Sequence, residues 1–406
     1  MSNTWIATYC EGWDGVEGKP IGLLSREEAR SRNEMGLPYS VLIVEDDRPR
    51  FLLDIAWRQN YLARWTFDDH GRRDTRAVYV RMDGGTLFER KLTEWQYDEG
   101  EPDGTPSLPR RTLKRDFNGR TGIYHRSRGG GSMSTSRDEP SEQFIRPAVA
   151  FERWDAVLEG DDTLPLTVGT PIEPLPFDAS AGRPWNPPLP FQAPYLDQLL
   201  VEDATVVHED SGSPMRVRHE YLGLLGLPTG KLVACDPTWL KAVEPFTVSV
   251  EPGDYPVIEI QIHDESDDYW AGAGYLLRVS EQSTSTWEMA LRPGQDVSLL
   301  EEGHFYGFGV DAGLGCLIDD AAQEPFIAHI DGDLHRLDEE MPLREEFAIP
   351  GTDHNLYAYN CYYGDGSYPT WIGRDDCGAV TCFLSDMLLV DNGRPQDDED
   401  TFEQDW

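Results

Sequence analysis

The spacing of apolar and polar positions along this chain reads mostly as sheet. Tyr39 to Val44, Phe51 to Ile55, Tyr61 to Phe67, Arg76 to Arg81 and Leu87 to Tyr97 are short, rich in β-branched or aromatic residues, and bounded by Gly, Asp or Asn. Those are the marks of strands separated by turns. One helix stands among them. In Ser25-Arg26-Glu27-Glu28 the serine hydroxyl can accept from the Glu28 amide while the glutamate reaches back, and Gly36 closes the other end, so a capping box predicts a helix over 26–35. Met82-Asp83-Gly84-Gly85 has the residues of a hairpin turn, because Asp-Gly and Gly-Gly tolerate positive φ.

The second half repeats the pattern more regularly. Ala204 to Glu209, Met215 to Leu222, Lys231 to Cys235, Phe246 to Val250, Tyr255 to His263, Tyr275 to Ser280, Trp287 to Leu291 and Phe305 to Val310 are separated by Gly, Pro, Asp or Ser clusters. Strands at this spacing predict a sandwich or barrel-like sheet rather than a doubly wound one. A helix is expected over about 319–328. A last hairpin runs from Trp371-Ile372-Gly373 to Cys382-Phe383-Leu384 through Asp375-Asp376-Cys377-Gly378. The expected fold class is mainly β with minor helix: an α+β amino-terminal domain, then a β-sandwich-like or barrel-like carboxy-terminal domain.

Composition supplies the boundaries. At 406 residues the chain exceeds one ordinary core, and two domains are the default. Pro109 to Arg137 carries Arg110, Arg111, Lys114, Arg115, Arg120, Arg126, Arg128 and Arg137 with only Asp116 against them, and it includes Gly129-Gly130-Gly131. Such a stretch either contacts RNA or another anionic ligand, or is a strand pair and loop whose arginines face the protein's own acidic surface, which needs no partner. Prolines then recur from Pro165 to Pro194. Because proline fixes φ and lacks a donor, this part is expected to be extended and without sheet hydrogen bonds of its own. The division expected is a β-rich α+β domain over 1–125, a basic, Gly-rich and then Pro-rich linker over 126–194, a β-rich domain over 195–392, and an acidic disordered tail over 393–406.

Charge narrows the partners. Lys and Arg total 35 against 74 Asp and Glu, a net charge of −39. That field repels nucleic-acid phosphate and anionic lipid and steers a cationic protein inward. No nucleic acid and no membrane are expected as partners. The start lacks a basic region followed by an apolar one, and no stretch is apolar for long enough to cross a bilayer. The expected location is cytoplasmic, and the six sparse cysteines are expected to be reduced thiols.

Four ordered blocks resemble a known family. They are Pro228-Thr229-Gly230-Lys231-Leu232-Val233-Ala234-Cys235-Asp236-Pro237, then Pro252-Gly253-Asp254-Tyr255-Pro256-Val257, then Gly307 to Cys316, and finally Gly364 to Gly373. On these residues the second half resembles an uncharacterised bacterial family, domain of unknown function 4241. The resemblance implies no established activity and carries over no catalytic residue. It does not reach the first 190 or so residues.

The chemistry on offer sits mainly in the last two blocks. Asp311, Asp365 and Asp386 are the carboxylate candidates for hydrolysis or for a hard cation. In Asp311-Ala312-Gly313 and Asp365-Gly366-Ser367 the aspartate suits an Asx-turn equally well. His304, with His263, is the candidate base, yet no motif ties either to a nucleophile. Cys316, Cys361, Cys377 and Cys382 lack the tight paired spacing of structural zinc, so no metal and no cofactor are expected. Tyr363, Asp365, Tyr368 and Trp371 form the candidate binding surface, with Tyr363 and Tyr368 expected to be exposed and Trp371 divided between core and surface.

These observations favour a non-catalytic interaction module whose partner is a basic protein, an immunity or antitoxin-like role being the most concrete form. A hydrolase or nucleotide-handling enzyme using Asp311 and Asp365 is the alternative, and a structural adaptor is the third reading.

Overall fold

The capping box forms as its sequence predicts. In this computed structural model Ser25 Oγ accepts from the Glu28 amide at 3.2 Å, Glu28 Oε2 accepts from the Ser25 amide at 2.8 Å, and Gly36 turns left-handed at φ 70° to end the helix Arg26–Met35. The structure describes residues 5–393 except 83, 106–107, 116–118, 129, 155, 159–165, 267, 298–299, 312 and 331–341. The chain is 48% strand and 11% helix, in curled antiparallel sheets. It divides into two compact units, Met1–Pro188 and Leu189–Trp406.

The first unit is built on one sheet, which holds twelve strands among the described residues. They are β1 (Trp5–Asp14), β2 (Lys19–Leu23), β3 (Tyr39–Glu45), β4 (Arg48–Ala56), β5 (Tyr61–Phe67), β6 (Arg73–Arg81), β7 (Thr86–Trp95), β8 (Arg110–Arg115), β9 (Arg120–Arg126), β10 (Ser132–Asp138), β11 (Ile145–Pro147) and β12 (Leu166–Val168), with α1 (Arg26–Met35) between β2 and β3. From β3 to β10 each strand lies beside the one before it, an antiparallel meander. β1 joins beside β3, β2 folds back on β1, β11 pairs with β7, and β12 runs parallel to β1. One face buries Tyr9, Tyr39, Val41, Ile55 and Tyr79 against Ala29 of α1 and against Trp154. Alternation sends Leu42, Leu52 and Phe67 to the other face, where they meet Trp13.

The expected linker over 126–194 is corrected here, since the same residues supply β10, β11 and β12 to the first sheet. Prolines do not prevent this, because their neighbours keep donors and acceptors. Leu175 donates to Pro20 O at 2.8 Å and accepts from the Gly22 amide at 2.9 Å. Trp185 Nε1 donates to Ser40 Oγ at 2.8 Å, and its ring rests 6.0 Å from Tyr61. The proline-rich stretch therefore covers part of the second face of the sheet.

Much of the basic stretch faces carboxylates of its own unit. Arg111 reaches Glu94 at 3.1 Å, Arg115 reaches buried Glu89 at 2.8 Å, Arg128 reaches Asp98 at 3.0 Å, and Arg137 reaches Glu139 at 2.9 Å. At the end of the meander β10 is exposed at all seven positions, and only β9 pairs with it among the described residues.

Among the described residues the second unit contains two sheets. Its strands are β13 (Thr205–Val207), β14 (Pro214–Leu227), β15 (Leu232–Cys235), β16 (Gly253–Asp264), β17 (Tyr269–Arg278), β18 (Thr286–Met289), β19 (Gly307–Val310), β20 (Leu314–Asp319), β21 (Glu346–Ala348), β22 (Asn355–Asn360), β23 (Gly366–Arg374) and β24 (Val380–Asp386). The larger sheet runs β13-β14-β16-β17-β24-β23-β18 with β19 added on β23, and the smaller runs β15-β20-β22-β21. They share one core, in which the Tyr275 ring of β17 stacks on Tyr359 of β22 with centroids 3.9 Å apart. The curled antiparallel sheets, a half-barrel, fit the expected mainly-β class, sandwich-like or barrel-like.

Phe246 to Val250 departs from its expected strand. It is irregular, with a bend at Thr247, and bonds to several segments, Phe246 donating to Leu232 O, Thr247 to Leu291 O and Val250 to Gly230 O. Gly230, at φ 69°, lets the Val250 carbonyl approach to where a Cβ would stand 1.9 Å away. Among the described residues the unit also has two short α-helices, α2 (Leu196–Leu199) and α3 (Gln323–Ile330). α3 begins later than expected, because Asp319 caps a short tight turn over Asp320–Ala322 before the helix starts. The acidic tail expected over 393–406 lies, from 394 onward, outside the described residues. Among the described residues no helix is long and apolar enough to cross a membrane.

Candidate functional site

β19 and β23 bring the two glycine- and aspartate-rich windows together. Phe308 pairs with Tyr368, Gly309 with Ser367 and Val310 with Gly366, so Asp311 and Asp365 follow and precede the last pair at one end of the ladder. The Cys361 amide donates to Gly313 O at 2.8 Å, which ties the turn after Asp311 to the turn before Asp365. Both aspartates are exposed. The Asp311 amide donates to Oδ2 of buried Asp236 at 3.0 Å, and Oδ1 of Asp236 caps the Thr238 amide at 2.8 Å. Asp236 thus fixes where the first window ends.

The candidate base His304 is not beside Asp311. His304 precedes β19 and Asp311 follows it, so the two stand at opposite ends of that strand. His304 holds its segment through the backbone, donating to Glu301 O and accepting from the Phe191 amide at 2.8 Å. His263 stacks on Trp270 with centroids 3.9 Å apart, and its Nε2 lies 3.2 Å from Asp268 Oδ1. Asp386 is buried away from the other two carboxylates. Its Oδ2 accepts from the Tyr195 hydroxyl at 2.8 Å and from Trp371 Nε1 at 3.2 Å, and its Oδ1 accepts from the Leu388 amide at 2.9 Å. Burial pushes the Asp386 carboxyl up to about 6, against the lowering effect of the hydrogen bonds from Leu388, Tyr195 and Trp371.

The aromatic candidates divide. Tyr363 is 44% exposed, and its hydroxyl donates to Asp210 Oδ2 at 2.9 Å. Tyr368, expected on the surface, is 2% exposed, because alternation in β23 turns it inward beside Phe308 while its hydroxyl reaches back to Gly364 O at 3.0 Å. Trp371 is likewise in the core, at 6%. The exposed surface at this end includes Tyr362 and Tyr363 together with Asp311 and Asp365.

Sequence reading missed the residues that complete it. His208 is buried beneath Tyr362 and Tyr269, edge-on to each at 6.3 and 6.2 Å, and Tyr269 in turn meets Tyr362 edge-on with their hydroxyls in contact. Ser211 lies against its Nδ1 at 3.2 Å, and its Nε2 has no hydrogen-bond partner among the described residues. His208 and Asp210 sit in the hairpin between β13 and β14, more than 140 residues before Tyr362 in the chain. Nothing local in the sequence joins them.

The cysteines do not converge on a metal. Cys316 faces Cys235 across the β15–β20 ladder with sulfurs 3.9 Å apart, Cys377 is exposed in the last hairpin turn, and Cys382 lies beside Thr284 and Thr381. Among the described residues no group of three or more His, Cys, Asp or Glu side chains could hold a metal ion.

Residues 225–385 match the model of a family described as Protein of unknown function (DUF4241). The second half of the chain resembles that family. The matched span runs from within β14 to Ser385 in β24 and contains Asp311, Tyr362, Tyr363 and Asp365, whereas His208 and Asp210 lie before it. No curated protein and no solved structure matches the chain.

Proposed function

We propose that this protein is a non-catalytic interaction module that binds a basic protein through the loops around Tyr362, Tyr363 and Asp365. The observation that carries this reading is that two tyrosines, 40% and 44% exposed, are held in place by their neighbours rather than hanging free. Tyr362 is wedged edge-on against Tyr269, His208 and Tyr363, and Tyr363 is tethered to Asp210. Rigid aromatic rings lose little conformational entropy on binding and are enriched where binding energy concentrates. The carboxylates of Asp210, Asp311 and Asp365 at the same end, within a chain of net charge −39, favour a cationic partner and fast, salt-sensitive association. An immunity or antitoxin-like role against a basic toxin is the most concrete form of this function.

Affinity purification of the full chain from its native host, washed at low and high salt, tests the reading. The expected result is a basic protein that is retained at low salt, released at high salt, and lost with Tyr363→Ala. Recovery of no salt-sensitive partner sinks the proposal.

A further inference from the structure

Two cysteines of the smaller sheet are placed for chemistry that the binding role does not use. Cys235 of β15 and Cys316 of β20 are directly opposed in the antiparallel ladder, and their sulfurs stand 3.9 Å apart. Opposed residues in such a ladder have Cα atoms roughly 4.5–5.5 Å apart, inside the roughly 4.4–6.8 Å that a disulfide spans. Closing the sulfurs to a bond of about 2 Å therefore asks for side-chain rotation and a small shift, not for a new backbone path.

Both side chains are buried, and both are free thiols. The neighbouring Cys235 thiol and burial together raise the Cys316 thiol well above its ordinary value. The closed ladder is therefore unreactive, because the thiolate is the nucleophile. The way in is the edge of the sheet. β15 is four residues long and ends the strand order, with β20 its one ladder partner among the described residues. Its far side carries scattered bonds, from the Phe246 amide to Leu232 O at 3.0 Å and from Arg292 Nη2 to Ala234 O at 2.7 Å. A short edge strand opens locally at lower cost than its unit unfolds, and opening β15 uncovers both sulfurs together.

We propose that Cys235 and Cys316 are a reversible oxidation site, closed by hydrogen peroxide into a cross-strand disulfide that locks β15 onto β20. With β15 open, the thiolate of one cysteine attacks the peroxide O–O bond, forming a sulfenic acid and releasing one water. The thiolate of the other attacks that sulfur, forms the S–S bond and expels the hydroxyl as a second water. Two thiols and one peroxide thus become one disulfide and two waters, and a small dithiol reverses the change. The bridge joins residues 81 positions apart in the chain, which restricts the unfolded state. Cys235 also directly precedes Asp236, whose carboxylate receives the Thr238 and Asp311 amides, so the bridge fixes the strand end beside the first glycine-rich window. None of this depends on the binding role of the tyrosine loops.

Peroxide treatment of the folded full chain, followed by alkylation in denaturant and peptide mass mapping, tests the assignment. The expected product is a linked peptide holding Cys235 and Cys316, two hydrogens lighter than the thiol pair and lost on reduction with dithiothreitol. Exposed Cys377 reports that the peroxide has acted. The oxidised chain is expected to unfold at a higher urea midpoint than the same sample after reduction, and Cys316→Ala is expected to show no such shift. The mass map needs no variant, so it decides the matter even if Cys316→Ala folds poorly. Recovery of Cys235 and Cys316 as alkylated thiols while Cys377 is oxidised, their linkage to other cysteines instead, or an unchanged urea midpoint in the bridged chain overturns the proposal.

Discussion

The Tyr195 hydroxyl donates to the Asp386 carboxylate at 2.8 Å inside the core of the second unit, where neither group reaches water. Burial raises the Asp386 carboxyl from 3.8 to about 6. Between those values the folded state keeps a proton that the unfolded state has released, so this group's contribution to stability is full below about pH 4 and is lost as pH rises through about 6. Asp386→Asn removes the titration. Relative to the native chain, the variant is expected to gain stability as pH rises from about 4 to about 6, by up to an order of 3 kcal/mol. Urea unfolding of both chains across that range measures the difference, and parallel curves would refute it.

A second buried carboxylate depends on one arginine. Glu259 lies between the sheets with Arg344 Nη2 at 2.5 Å, and it also accepts from Tyr275 at 2.9 Å and from Gln261 at 2.8 Å. Arg344→Met strands that charge and is expected to cost about 3 kcal/mol in urea unfolding. Adding Glu259→Gln to Arg344→Met is expected to recover a large part of the loss. If the double variant is no more stable than the single one, the charge is not the cause.

Gly230 is set by the Val250 carbonyl. An alanine there would hold an unfavourable φ of 69° and place its Cβ 1.9 Å from that oxygen. Gly230→Ala is expected to lower stability by more than about 2 kcal/mol, while Gly294→Ala, whose Cβ would meet no atom within 4 Å, is expected to cost less. Thermal midpoints of the two variants rank them.

Ser25 closes the amino end of α1 through its side chain. Ser25→Ala is expected to cost about 1 kcal/mol, and Ser25→Asp to cost less, because aspartate caps equally well. Equal losses in the two variants, read by denaturant midpoint, would show that the cap is not what serine contributes.

What the sequence made legible was local. The capping box at Ser25 and Glu28 and the last hairpin through Asp375 to Gly378 are each decided within a few residues, and both stand where their residues place them. Strand existence was legible for the same reason, as in Tyr61–Phe67. Facing was not. Tyr368 looks like a surface residue, and Trp371 is left divided between core and surface, until β23 is placed between β19 and β24, where alternation draws Tyr368 inward and Asp386 holds Trp371 in the core. The proline-rich stretch was misjudged because composition reports the donors a proline lacks, not those its neighbours keep, such as the Leu175 amide. His208 was invisible because its partners Tyr269 and Tyr362 come from distant strands.

The outer edge of β10, unpaired among the described residues, gives the charge of this chain a second consequence. Seven consecutive exposed residues without proline present backbone donors and acceptors in a form that another extended segment can pair with. At neutral pH the net charge of −39 holds copies apart, but near the sequence pI of about 4.4 that repulsion disappears. Mild acid therefore turns the end of the meander into a template for sheet growth between molecules, so colloidal solubility should fail before the fold does.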